Sequence, residues 1–218
     1  MLEIGQKAAQ VMIYAGFGIA LSCSAAYGAS NNWQSNADIP QPSFSSANRA
    51  NNTQGQGSGN PSRIHNWTVN GGIAIKTSSE AGSASYRWSQ SGPNSYDLLI
   101  FGPLGAGTMR LTGNGGQVSL TNSKGQISTA RSPEALLQQQ AGWSLPVSNM
   151  YYWIRGIAAP GGARATYNNN HQLETLQQNG WNIRYLSYMN TNGMILPSKI
   201  YMSRSGISVR LSINDWSI

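Results

Sequence analysis

The sequence predicts a mainly β domain, in which two helices cover one side of a curved antiparallel sheet of about eleven short strands. Three observations predict it. Apolar and polar residues alternate over most of the chain after residue 66, which is the period of a strand with one buried face. Asn- and Gly-rich pairs separate these segments, as hairpin turns do. Charged residues make up only 10% of the chain and 25 residues are Gly, which is typical of an exported, turn-rich β protein.

The first half of the sheet is predicted from five segments. Residues 67–75 and 84–88 each place their apolar side chains on one face. Residues 96–102 form a more continuously apolar strand, which predicts burial on both faces or close to it. Short alternating segments at 109–111 and 118–120 follow, and a hairpin signal leads from the second of them to a sixth strand.

Two helices are predicted after the sixth strand. Ser132 is a suitable N-cap, Pro133 a suitable first helical residue and Glu134 an acidic first-turn residue. The first helix should span residues 133–140 and the second should run from near Pro146 to Gly156. The remaining strands are predicted at 163–167, 172–178, 181–189, 195–203 and 207–213. Such a sheet must curl to bury one face, and with more than eight strands it leaves room for an apolar cavity under the helices.

Residues 1–22 have the features of a signal peptide. The apolar run from residue 8 to residue 22 is about as long as the hydrophobic region of a signal peptide and is too short to span a membrane comfortably. The single cysteine, Cys23, lies at its end. A lone cysteine forms no internal disulfide, so its position is what makes it informative.

Two processing routes fit this leader. In the first, Ala20-Leu21-Ser22-Cys23 acts as a lipobox and Cys23 becomes the diacylated N-terminus. In the second, cleavage near Ala26 or Gly28 discards Cys23. We favour lipidation of Cys23, because a small residue precedes it.

Residues 23–62 are predicted to form a flexible tether rich in Asn, Ser and Gly. The segment has too few apolar residues to offset the entropy of ordering. A coil of this length spans about 30–35 Å, so a tether would let the domain at 63–218 move above a membrane. An unstructured leader without that purpose would have the same composition.

The charge pattern argues against nucleic-acid binding. The formal net charge is +7, which suits an anionic membrane or an acidic partner. Arg87, Arg110, Arg184 and Arg210 are, however, scattered singly along strand-like segments, without a basic run or a nucleic-acid motif. A solvated basic surface is the simpler interpretation.

The sequence offers little catalytic chemistry. His65 and His171 are the two imidazoles, their separation does not fit a metal site, and no Gly-x-Ser-x-Gly elbow supports a hydrolase. The Gly-rich segment 102–108 lacks the Lys of a phosphate loop. We therefore expect no enzyme activity, no metal and no cofactor. In that same segment Leu104 lies at a predicted hairpin tip, where it either folds back onto the core or protrudes.

Over nearly all of residues 67–218 the chain resembles a known family, the LolB family of outer-membrane lipoprotein receptors. Each matching segment is short, and their joint order is what carries the resemblance. The segments are Trp67–Ile75, Phe101–Gly105, Trp153–Gly156 with Pro160, Gly180-Trp181 with Tyr185 and Tyr188, Leu196-Pro197 with Lys199, and Ile213–Trp216.

The resemblance implies a fold, a location and a function. The fold would be an open, unclosed antiparallel β-barrel of eleven strands with a helical lid over an apolar cavity. The protein would be a monomer anchored by lipid on Cys23 to the bacterial outer membrane, facing the periplasm. It would take acylated lipoproteins from the periplasmic carrier LolA and insert them into the inner leaflet of the outer membrane. Leu104 matches a protruding loop residue associated with that insertion.

The hypothesis for the cavity assigns apolar residues of the concave face and of the lid to the acyl chains. These residues are Trp67, Ile73, Trp88, Met109, Leu111, Leu136, Leu137, Met150, Trp153 and Ile154. Ordinary core packing is the alternative for each of them. An alternative interpretation is a secreted or tethered β-sandwich that binds a ligand such as a carbohydrate. It explains the Trp and Tyr residues, but not the helices at 133–155 or the Leu104 loop.

Overall fold

The computed structural model describes residues 59–103, 107–141 and 144–218. The predictions for the signal peptide, for Cys23, for most of the tether and for Leu104 lie outside these residues. A short 3-10 helix, Pro61–Arg63, precedes the first strand. The strands are β1 (Asn66–Thr77), β2 (Ala81–Ser91), β3 (Tyr96–Phe101), β4 (Met109–Asn114), β5 (Gln117–Thr121), β6 (Ile127–Ala130), β7 (Arg164–Tyr167), β8 (Leu173–Gln178), β9 (Trp181–Thr191), β10 (Met194–Arg204) and β11 (Ile207–Ser217). The helices are α1 (Pro133–Ala141) and α2 (Val147–Trp153).

All eleven strands belong to one antiparallel sheet. Its order is β6-β5-β4-β3-β2-β1-β11-β10-β9-β8-β7, so β6 and β7 are the two edges and the described sheet is not closed. The chain passes from one edge to the other through α1 and α2. The predicted mainly β fold with an open sheet and two helices after the sixth strand is confirmed. A β-sandwich is not supported, because the described strands form a single sheet.

The strands bury alternate residues on the face of the sheet that meets the helices, as predicted. Every second residue of β1, from Trp67 to Ile75, is buried. Gly71 is one of them, and it lies at a bulge where β1 pairs with β11. A Cβ at Gly71 would come 1.8 Å from the carbonyl oxygen of Ser212, so only glycine lets the two strands approach this closely.

β3 is less buried than the sequence predicts, since burial on both faces, or close to it, was expected. Leu98 is buried, whereas the residues on either side of it are half-buried. On the outer face Asp97 forms an exposed ion pair with Arg110. The physical reason is that the helices cover only the concave face of the sheet, so the convex face of β3 meets solvent.

The helices begin where the sequence predicts. The Ser132 hydroxyl accepts a hydrogen bond from the Ala135 N–H at 3.1 Å, which caps α1. Glu134 then links the helices, since its carboxylate accepts a 2.8 Å hydrogen bond from the Ser148 N–H at the start of α2. In the described part of the chain, no helix is both long enough and apolar enough to cross a membrane.

Candidate functional site: an apolar cavity under two helices

An apolar cavity of about 40 Å³ lies between the first half of the sheet and the helices. The sheet supplies inward-facing residues of β1 to β4 and of β11, because alternation turns every second side chain toward the helices. The residues that line the cavity are Ile73, Ile75, Tyr86, Trp88, Leu98, Ile100, Gly107, Met109, Leu111, Leu137, Leu145, Val147, Met150 and Leu211. Its lining is almost wholly apolar, which suits hydrocarbon better than any polar ligand.

Six of the ten predicted cavity residues line this cavity. Four come from the sheet and two from the helices. They are Ile73, Trp88, Met109, Leu111, Leu137 and Met150. The structure therefore brings the predicted concave face and the predicted underside of the lid together.

The other four predicted residues are buried away from the cavity lining. Leu136 and Ile154 are in the hydrophobic core. Trp67 is the centre of an aromatic cluster, with its ring centroid 5.2 Å from that of Trp88 and 5.6 Å from that of Trp216. Trp153 is fully buried, and its indole N–H donates to Gln178 at 2.9 Å.

Several lining residues were missed from the sequence. Ile75 lies on the same face of β1 as Ile73, and Tyr86 lies on the same face of β2 as Trp88, so strict alternation could have identified both. Leu211 lies on β11, a strand from which no cavity residue was predicted. Leu145 lies in the connection between the helices and Val147 is the first residue of α2. A connection has no periodicity, and the sequence therefore carries no comparable signal for Leu145.

The C-terminal end of α2 is fixed to the second half of the sheet by buried hydrogen bonds. The Gln178 side chain accepts from the Ala159 N–H at 2.9 Å and donates to the Ala159 carbonyl at 2.7 Å. The Tyr185 hydroxyl donates to the Trp153 carbonyl at 3.0 Å. Burial raises the pKa of Tyr185 well above its ordinary value, so this hydroxyl stays a donor.

A buried arginine joins α2 to the segment before β1. The Arg155 side chain donates to the carbonyl oxygens of Tyr151 and Ile64 and lies over the Tyr151 ring, 4.1 Å from its centroid. Desolvation lowers the pKa of Arg155, but the carbonyl dipoles and the aromatic face compensate its charge. α2 is therefore fixed at its C-terminal end, and its N-terminal part lies over the cavity.

The described residues contain no constellation that could perform metal chemistry. No group of three His, Cys, Asp or Glu side chains that could hold a metal ion occurs among them. His171 is exposed, with a left-handed φ of 59°, which agrees with its interpretation as a turn residue. His65 is exposed as well.

Comparisons with known proteins identify the family of this chain. A family model described as "Outer membrane lipoprotein LolB" matches residues 65–216. An outer-membrane lipoprotein LolB from Pseudomonas fluorescens is 41% identical over 173 residues, covering 74% of this chain and 83% of that protein. One from Coxiella burnetii is 39% identical over 155 residues, covering 71% and 73%. A solved LolA superfamily protein from Nitrosomonas europaea has a TM-score of 0.47 and 14% identity, covering 70% of this chain and 86% of that one. The chain belongs to the LolB family.

Proposed function

We propose that this protein is an outer-membrane receptor that accepts acylated lipoproteins from the periplasmic carrier LolA and inserts them into the outer membrane. It acts without catalysis, from the periplasmic face, anchored by lipid on Cys23. The observation that carries the proposal is the apolar cavity beneath two short helices in a member of the LolB family. The names of its relatives support the outer-membrane location.

The hydrophobic effect explains why transfer needs no catalytic group. Each buried methylene contributes about 0.8 kcal/mol, so releasing a 16-carbon chain into water would cost roughly 12 kcal/mol. Passage from one apolar cavity directly into another avoids that intermediate. Such a transfer needs an apolar site on the receiver, and the cavity lining supplies one.

The cavity must widen to accept an acyl chain. Its volume of about 40 Å³ is far below the roughly 300 Å³ at which ligand pockets begin. Because Gln178 and Tyr185 fix Trp153 at the C-terminal end of α2, we propose that α1 and the start of α2 move away from the sheet. Leu137, Val147 and Met150 then expose their apolar side chains to the ligand.

A transfer assay tests the proposal. The mature polypeptide carrying Cys23→Ser, which bears no acyl group, is mixed with a purified LolA–lipoprotein complex, and the distribution of the lipoprotein is measured. We expect the lipoprotein to move onto the receptor. Retention on LolA, with the receptor shown to be folded by circular dichroism, would contradict the proposed function.

A cavity-filling variant sharpens that assay. Met109 is half-buried and lines the cavity, so Met109→Trp should occupy the space that an acyl chain needs. We expect this variant to take up about tenfold less lipoprotein, which corresponds to about 1.4 kcal/mol of binding free energy. Met189→Trp is the matched control, because Met189 is half-buried outside the cavity lining and its replacement should leave uptake unchanged.

Leu104 is proposed to act at the insertion step. It lies between β3 and β4, whose ends at Phe101 and Met109 are described. We expect Leu104→Glu to keep folding and lipoprotein uptake but to impair delivery into liposomes, because a carboxylate resists entry into hydrocarbon. Unchanged delivery would remove the role of Leu104.

A further inference from the structure

A second pocket, of about 120 Å³, opens at the end of the barrel where the β2–β3 and β4–β5 turns meet the starts of both helices. We call it the polar pocket. Unlike the apolar cavity, it is lined by many hydrogen-bonding side chains. They include Gln90, Asn94, Tyr96, Gln117, Ser132 and Ser148.

The polar pocket adjoins the apolar cavity. Trp88 and Val147 line both of them, so these two side chains form the wall between the two spaces. An acyl chain that reached the cavity past this wall would leave its head in the polar pocket.

Tyr96 lines the pocket and carries a hydrogen-bond donor that is not used. Its hydroxyl is buried, and no group in the described part of the chain forms a hydrogen bond with it. The ring lies against Gly113, its partner on β4, where a Cβ would come 2.2 Å from Tyr96 Cε1. A buried hydroxyl without a partner is unfavourable, and a ligand acceptor would satisfy it. Burial and the nearby Glu134 carboxylate raise the pKa of Tyr96, which keeps the hydroxyl protonated.

The charges around the pocket favour a neutral ligand. Arg131 contributes one positive charge to the lining, but the Glu134 carboxylate, held by Ser148, lies close enough to act on Tyr96. An anionic head group would be repelled there, whereas an uncharged carbonyl would not. The site thus suits a neutral group with hydrogen-bond acceptors.

We propose that the polar pocket binds the uncharged ester linkages that join acyl chains to the head of a lipoprotein, with the Tyr96 hydroxyl donating a hydrogen bond to an ester carbonyl oxygen. This inference rests on the proposed function and gives the receptor a means of orienting its ligand. A phospholipid presents the same ester chemistry, so the test must separate the two sources.

The test measures binding of three probes by the mature polypeptide carrying Cys23→Ser. The probes are a tripalmitoylated cysteinyl peptide, its analogue with ether in place of ester linkages, and phosphatidylethanolamine below its aggregation limit. We expect the ester peptide to bind more tightly than the ether peptide. Tyr96→Phe should weaken binding of the ester peptide about threefold to tenfold, the value of one hydrogen bond, and should abolish the ester preference.

The stability of the variant provides a second readout. Because the Tyr96 hydroxyl has no partner among the described residues, Tyr96→Phe should keep or raise the melting temperature. Tyr201→Phe on β10, outside the pocket, is the matched control and should change neither the binding of the probes nor the melting temperature.

The outcomes separate this inference from the proposed function. One outcome would overturn the inference alone: the wild-type protein takes lipoprotein from LolA, but both it and the Tyr96→Phe variant bind the ester and ether peptides equally. The polar pocket would then not be a head-group site. A Tyr96 effect confined to phosphatidylethanolamine would assign the pocket to a phospholipid and overturn the proposal. Loss of transfer by the wild-type protein itself would instead contradict the proposed function.

Discussion

The two halves of the sheet present very different interiors to the same pair of helices. In the first half, β1 to β4 leave an apolar cavity and border a polar pocket. In the second half, Leu176, Ile183 and Ile200 are almost fully buried. Buried hydrogen bonds there pair the side chains of Gln178 and Tyr185 with the helix segment. We infer from this difference that the second half fixes the helices and that the first half is the part that binds the ligand.

The distribution of unpaired polar atoms supports this comparison. Among the described residues, the buried side-chain atoms without a hydrogen-bond partner are Trp67 Nε1 and the Tyr96 hydroxyl. Both residues belong to the first half of the sheet. Unpaired buried groups are rare in packed interiors, so the first half carries an energetic cost that the second half avoids.

The largest difference between a variant and its control is expected for Gln178, in the second half. Gln178→Leu would remove the partners of the Trp153 indole N–H and of both backbone groups of Ala159. Each buried group left unpaired costs about 1–3 kcal/mol, so the free energy of unfolding should fall by about 3–5 kcal/mol. Urea unfolding followed by circular dichroism measures it.

Gln177 offers the matched control. Its side chain donates to Asn182 on the exposed face of the sheet, so Gln177→Leu should change the free energy of unfolding by less than about 0.5 kcal/mol. If the Gln178 and Gln177 variants were equally stable, the second half would not be the fixed part of the molecule.

A smaller contrast is expected between two leucines. Leu176 is completely buried in the packed half, so Leu176→Ala should cost about 4–5 kcal/mol, near the upper end for such changes. Leu137 borders the existing cavity, and Leu137→Ala should cost only about 2–3 kcal/mol, because fewer contacts are lost. Equal losses in urea unfolding would remove the distinction between the halves.

The sheet could be predicted from the sequence because the alternation of inward and outward residues is a local property of each strand. Alternation identified the inward residues Ile73, Trp88 and Leu111, and the cap at Ser132 identified the start of α1. The burial of β3 was misjudged, because continuous apolar residues do not reveal whether a second layer covers the outer face. Leu99 and Phe101 are only half-buried there.

The parts that could not be predicted depend on tertiary contacts. Gln178 is a polar residue on an inward strand position, and its partners on α2 and at Ala159 are distant along the chain. Trp153 and Ile154 have helical spacing with Met150, yet α2 ends at Trp153 and these two side chains pack into the core rather than along the cavity. The predicted roles of Cys23 and Leu104 stay predictions.

The central claim, that the first half of the sheet holds acyl chains, is tested most directly by photo-crosslinking. A lipopeptide with a diazirine near the end of one acyl chain is irradiated with the mature protein, and the labelled residues are mapped by mass spectrometry. Our account predicts labels on cavity residues such as Ile73, Leu98 and Leu111. Labels confined to the convex face, or to the packed second half around Leu176 and Ile183, would contradict it.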